Sequence, residues 1–120
     1  MNNKNCLVLE NVNNIFEWKK GVLEDRDVLK GIQNYVKGNI ESISFLFPEL
    51  YRKNILVYIN EDGKLMNLPI TLVCKTNNKH EEINGNICFI KLNSSGQLIN
   101  INRSDIRKIH RTIDNIRETI

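Results

Sequence analysis

Five isoleucines near the end of the chain, Ile106, Ile109, Ile113, Ile116 and Ile120, are spaced three, four, three and four residues apart. That spacing confines the stretch SDIRKIHRTIDNIRETI to an α-helix with one narrow apolar seam. Ser104 is placed to cap its start, and Asp105 falls where the helix dipole favours an acid. A helix that closes a sheet usually carries a wider stripe, so the narrow seam predicts that this helix meets its own copy in a homodimer.

The arginines between the isoleucines admit two readings. Arg107 and Arg111 lie one turn apart on the flank of the seam, and Arg103 precedes the helix on the same side. Guanidinium groups so placed can make planar, two-pronged contacts with phosphate oxygens and stack on a purine ring. The plainer alternative is a solvated face in which Arg111 pairs with Asp114 and Asp114 with Arg117.

Such a helix needs a core to lie on, and the rest of the chain supplies strands. CLVLENV alternates between Asn clusters as a first strand, and IFEWKKGVL can pair with it across the NVNN turn. DRDVLKGIQNYVKG is an internal helix: Val28, Leu29, Ile32, Tyr35 and Val36 form one stripe at period 3.6, with Asp25 as its cap and Gly38 in the left-handed position beyond its end. NIESISF alternates as a strand, and LFPELYRK is a connector with a helical turn after Pro48. NILVYINEDGKLMNLPI reads as a hairpin turning at Glu61-Asp62-Gly63-Lys64, Gly63 supplying a positive φ and Pro69 ending the return strand. TLVCKTNNKHEEINGN contains a polar, Asn-rich loop. NICFIKL reads as a strand buried on both faces, and NSSGQLININ adds a turn and a partner strand. The expected fold is α+β, a single domain over residues 1–120. Its mainly antiparallel sheet carries one packed internal helix, and a long C-terminal helix stands at a homodimer interface.

Charge and cysteine usage narrow the partners. A net charge of +3 with a pI near 8.8 is too mild for duplex nucleic acid, where basic domains usually exceed pI ~9 with clustered Lys and Arg. Single strands would need an exposed aromatic platform that these strands do not offer. Cys6, Cys74 and Cys88 show no CxxC spacing, which favours a reducing compartment over a disulfide framework. No apolar run approaches the ~18 residues of a membrane span, and the N-terminus has no signal-peptide pattern. A soluble cytoplasmic protein is expected.

Catalytic material is thin. Cys74, His80, Cys88 and His110, with Glu81 and Glu82, match no zinc spacing, and EDGK lacks the rest of a phosphate loop. With two histidines and scattered carboxylates, no enzyme, metal or cofactor is expected. Phe89, just before the Asn93–Gly96 turn, is either a core residue or an aromatic that packs on a base.

Gly38-Asn39-Ile40-Glu41, then LVYINEDGKLMNLP from Leu56 to Pro69, then EINGNICFIK with Gly85, resemble a small phage-encoded domain family of unknown function over roughly residues 28–115. Thr71 stands where that family's pattern has Asn, and residues 71–82 depart from it. The size and the arginine-bearing last helix are also similar to the Thoeris anti-defence proteins of phages. That resemblance implies a homo-oligomeric sponge in the cytoplasm of the host bacterium. It would sequester a cyclic ADP-ribose isomer, or a cyclic oligonucleotide, without cleaving it. It also implies two arginines one turn apart that hold the ligand's phosphates, matched by Arg107 and Arg111 with Arg103 beside them. An aromatic and an Asn from the preceding strands are matched by Phe89 and Asn93. The alternative is a phage accessory protein that acts by protein–protein interaction through the C-terminal helix.

Overall fold

The first hairpin follows from two asparagines. In the computed structural model, which describes residues 3–76 and 79–118, β1 (Asn3–Val12) and β2 (Ile15–Glu24) pair antiparallel without a break from Asn3↔Glu24 to Val12↔Ile15. Only Asn13 and Asn14 are left for the turn, with φ of 53° and 68°. Two left-handed residues suit the right-handed twist of paired strands, and Asn tolerates that conformation better than most side chains. The Asn11 Oδ1 accepts the Asn14 N–H at 2.9 Å and closes the loop.

From β2 the chain crosses the sheet as α1 (Val28–Val36) and returns as the short edge strand β3 (Ile40–Ser42). The expected longer strand stops there for a local reason. Ser44 Oγ accepts the Val57 N–H at 2.9 Å and bonds Ser42 Oγ, taking the place of the next ladder bond. A 3-10 turn at Ser44–Leu46 and α2 (Pro48–Tyr51) follow, with Pro48 in the first turn as expected. β4 (Ile55–Asn60), β7 (Ile87–Leu92) and the two-residue β8 (Leu98–Ile99) complete a sheet of order β2-β1-β7-β4-β3, with β8 beside β7. All its pairings are antiparallel.

The hairpin expected after β4 does not form. β4 already has β3 on one side and β7 on the other, so no return strand can join it. Residues 61–69 instead make a run of turns, and β5 (Ile70–Thr76) leaves to pair with β6 (Lys79–Asn84) in a separate two-stranded sheet. The polar loop expected over residues 71–82 is largely this second hairpin, and Asn77 and Asn78 lie outside the described residues. Gly63 is not at positive φ; Asn67, at 54°, takes that conformation. Glycine is required at 63 because a Cβ there would stand 2.8 Å from the Asn84 carbonyl oxygen.

Alternation along the three central strands places a core on each face. Leu7, Leu9, Val57, Ile87 and Phe89 point to one side, beneath α2, the β5–β6 sheet and the last helix, α3 (Arg103–Glu118). Cys6, Val8, Cys88 and Ile90 point to the other, beneath Ile32 and Val36 of α1. The fold is therefore α+β, mainly antiparallel, with α1 and α3 on opposite faces. Among the described residues no helix is long and apolar enough to cross a membrane.

Both helix caps differ from expectation. Asp25 is held by Lys4 at 3.3 Å, and Asp27, which precedes α1, makes no side-chain cap bond. Lys37, not Gly38, takes the left-handed position, with φ of 68°. On α3 the cap is Asn102, not Ser104: Asn102 Oδ1 accepts the Asp105 N–H at 2.8 Å, and Asp105 Oδ2 accepts the Asn102 N–H at 3.0 Å. This reciprocal pair satisfies two N-terminal donors at once.

Candidate functional site

The orientation of α3 decides where its arginines go. Asp105 is buried, and besides capping the helix its Oδ1 accepts Lys91 Nζ from β7 at 2.8 Å. Ile109 and Ile113 are fully enclosed in the core beside Leu72, Cys74 and Ile83, while Ile106 and Ile116 are half-buried against it. Ile120 lies outside the described residues. The seam thus packs on the chain's own sheet, and Lys108 ties the flank to Glu49 of α2 at 3.1 Å. The central isoleucines are not free to dock a partner, and they do not by themselves call for a second copy. A narrow stripe suffices because α2 and the β5–β6 sheet share the cover of this face.

With Ile109 facing inward, a turn of ~100° per residue puts Arg107 and Arg111 each ~160° away from it and ~40° from each other. Both are exposed, as is Arg103. Among the described residues, none of the three forms an ion pair. The pairing expected of a solvated face, Arg111 with Asp114 and Asp114 with Arg117, is not made. Arg117 instead lies over the Phe16 ring, 4.1 Å from its centre, a cation–π contact with β2.

Phe89 and Asn93 do not join this face. Phe89 has no exposed surface, sitting between Leu7 and Val57 with its ring 5.8 Å from Trp18. A base could reach it only by opening the core. Asn93 organises its own turn: its Oδ1 accepts the Ser95 and Gln97 N–H groups, each at 2.9 Å, and its Nδ2 donates to Gln97 Oε1 at 3.2 Å. No hydrogen bond or ring contact joins either residue to Arg103, Arg107 or Arg111 among the described residues.

Besides Phe16, Trp18 borders the helix, half-buried on β2 and 4.5 Å from the His110 ring. His110 Nε2 is buried there without a hydrogen-bond partner. Sequence reasoning passed over this pair. Its only signal was that Trp18 alternates onto the same face of its strand as Phe16.

The cysteines are core thiols. Cys74 and Cys88 lie in cores on opposite faces of the sheet, so they do not meet, and among the described residues no three His, Cys, Asp or Glu side chains stand together as a metal set. Burial, with the Glu81 carboxylate near by, pushes the Cys74 thiol up to about 11. The hydrogen bond from Cys88 holds Cys6 below the ordinary thiol range, and that bond together with burial pushes Cys88 well above it. Buried thiols raised in this way, Cys74 and Cys88, are poor nucleophiles.

A family model described as a domain of unknown function, DUF3846, matches residues 8–114. No curated protein and no solved structure matches the chain.

Proposed function

The chain belongs to the DUF3846 family, whose function is unknown, and on that premise we propose that it binds and holds a small phosphate-bearing nucleotide on the outer face of α3, without cleaving it. One observation carries this reading: Arg107 and Arg111 are exposed one turn apart with no carboxylate partner among the described residues. Two unpaired guanidinium forks that close together repel each other, and a pyrophosphate would relieve that while accepting two-pronged hydrogen bonds. In this reading Trp18, half-buried beside His110 of α3, replaces buried Phe89 as the aromatic offered to a base. The likeness to Thoeris anti-defence proteins makes a cyclic ADP-ribose isomer the first ligand to try. A convex helix face covers only one side of such a ligand, whereas ligand sites usually bury most of it. A second copy supplies the other wall in this reading, through the exposed arginine face and not through the isoleucine seam.

Calorimetric titration with cyclic ADP-ribose isomers tests it. Wild type should bind, and Arg111→Ala should weaken binding by about tenfold to a hundredfold, the loss of one charge-assisted contact. Arg111→Lys should recover only part, keeping charge but not the planar fork. Ligand recovered after denaturation should be intact. Unchanged affinity in both Arg107→Ala and Arg111→Ala, or turnover of the ligand, would sink the reading.

A further inference from the structure

Away from the arginine face, the turns after β4 and the strand β6 enclose a pocket of about 150 Å³. Its composition is unlike that of the chain as a whole. On a protein of net charge +3, four carboxylates line this one cavity: Glu41 from β3, Glu61 after β4, and Glu81 and Glu82 from β6. The single cation lining the pocket, Lys64, bonds Glu81 at 3.5 Å, and among the described residues Glu41, Glu61 and Glu82 form no ion pair. Ile43, Ile59 and Ile83 give the cavity apolar walls. Asn84 also lines it; its Nδ2 is fixed on the Leu68 carbonyl at 2.8 Å, and its Oδ1 is a buried acceptor with no partner. At the rim stand Phe45, 73% exposed, and Leu65, 84% exposed. Large side chains so placed cover no core of their own and are open to a partner.

We propose that this pocket is a docking site for an arginine side chain on a segment of another protein, the guanidinium meeting the carboxylates and the flanking residues resting on Phe45 and Leu65. Size excludes a nucleotide, since small-molecule pockets start at about 300 Å³. An arginine fits the chemistry on each count. Its stem is apolar where Ile43, Ile59 and Ile83 are, and its fork carries donors for carboxylates. Arginine anchors within an apolar surround are also what concentrates binding energy at protein interfaces. The walls are rigid for a reason visible in the sequence. Asn60 Nδ2 donates to the carbonyls of Val36 and Lys37 at 3.2 and 3.1 Å, its Oδ1 accepts the Asp62 N–H at 2.8 Å, and Gly63 lets the turn lie against Asn84. The pocket is therefore formed before a partner arrives, which lowers the ordering cost of binding.

The test uses the full chain labelled for nuclear magnetic resonance and the capped peptide Ac-Ala-Arg-Leu-NH2, at low salt. Saturable shifts should be confined to the amides of residues 41–46, 59–65 and 81–84. A citrulline peptide, equal in shape but neutral, should bind about tenfold more weakly or worse. The double substitution Glu41→Gln with Glu82→Gln should do the same, while Glu24→Gln, an exposed carboxylate on β2 outside the pocket, should leave peptide affinity unchanged. Because the carboxylates are exposed, the double variant is expected to fold, and its spectrum verifies this. Absence of saturable shifts, shifts scattered over the other acidic residues, or equal binding of the citrulline peptide would each overturn the proposal.

Discussion

The two longer helices lie on opposite faces of one sheet and are held by different means. α3 is secured close to its own sequence: Asn102 and Asp105 close its first turn, and two isoleucines four residues apart fill the core. α1 is secured from far away. No side chain caps its start, its end is forced into left-handed backbone at Lys37, and Asn60, more than twenty residues on, takes up the carbonyls of Val36 and Lys37. A Cβ at Gly38 would stand 2.6 Å from the Asn60 amide nitrogen, so the glycine expected to cap the helix serves close approach instead. Helix stability can reside in local chemistry or in a distant lock, and only the first kind is written where the helix is.

The largest test of this contrast is in the core. Ile109→Ala should cost about 2–5 kcal/mol in urea denaturation, because the enclosed side chain leaves a cavity. Leu29→Ala on α1, where the side chain is 56% exposed despite its place in the apolar stripe, should stay within about 0.5 kcal/mol. Comparable losses would erase the distinction between the faces.

Next comes the lock. Asn60→Ala strands two carbonyls and the Asp62 N–H, and should cost about 1–3 kcal/mol. Amide exchange should quicken along Val28–Val36, while the amides of α3 keep their relative protection. Uniform acceleration across both helices would show that the lock serves the whole fold and not α1 alone.

The smallest effect is at Lys37. Glycine removes the Cβ strain of left-handed backbone but gains freedom in the unfolded chain, so Lys37→Gly should raise stability by about 1 kcal/mol at most. A loss in the urea midpoint would mean that the Lys37 side chain makes a favourable contact outweighing that strain.

Much of this architecture was legible beforehand. The β1–β2 hairpin, the turn after Pro48, the doubly buried β7 and the span of α3 were all foretold by alternation, period and turn chemistry. Other expectations failed where a second segment competed. The return strand after β4 was plausible until β3 and β7 occupied both sides of it. Ser104 was a sound cap by residue type, but Asn102 and Asp105 make the reciprocal bonds that close the first turn. Of the candidate site, Arg103, Arg107 and Arg111 stand together on one exposed face. Phe89 took the core alternative that its doubly apolar strand already offered, and Asn93 is spent on its own turn.

By itself, then, the sequence determined the periods of β1, β2, β4, β7 and the two longer helices, and which side of α3 is apolar. Those are properties of a few consecutive residues, set by backbone sterics and the spacing of side chains. The tertiary structure alone decided that the isoleucine seam lies against the chain's own sheet and that Trp18 borders α3. It also decided that the turn at residues 60–64 forms the wall of an acidic pocket. Each of these depends on segments distant in sequence reaching the same place, and no local pattern records which of two suitable surfaces arrives first in the packed core.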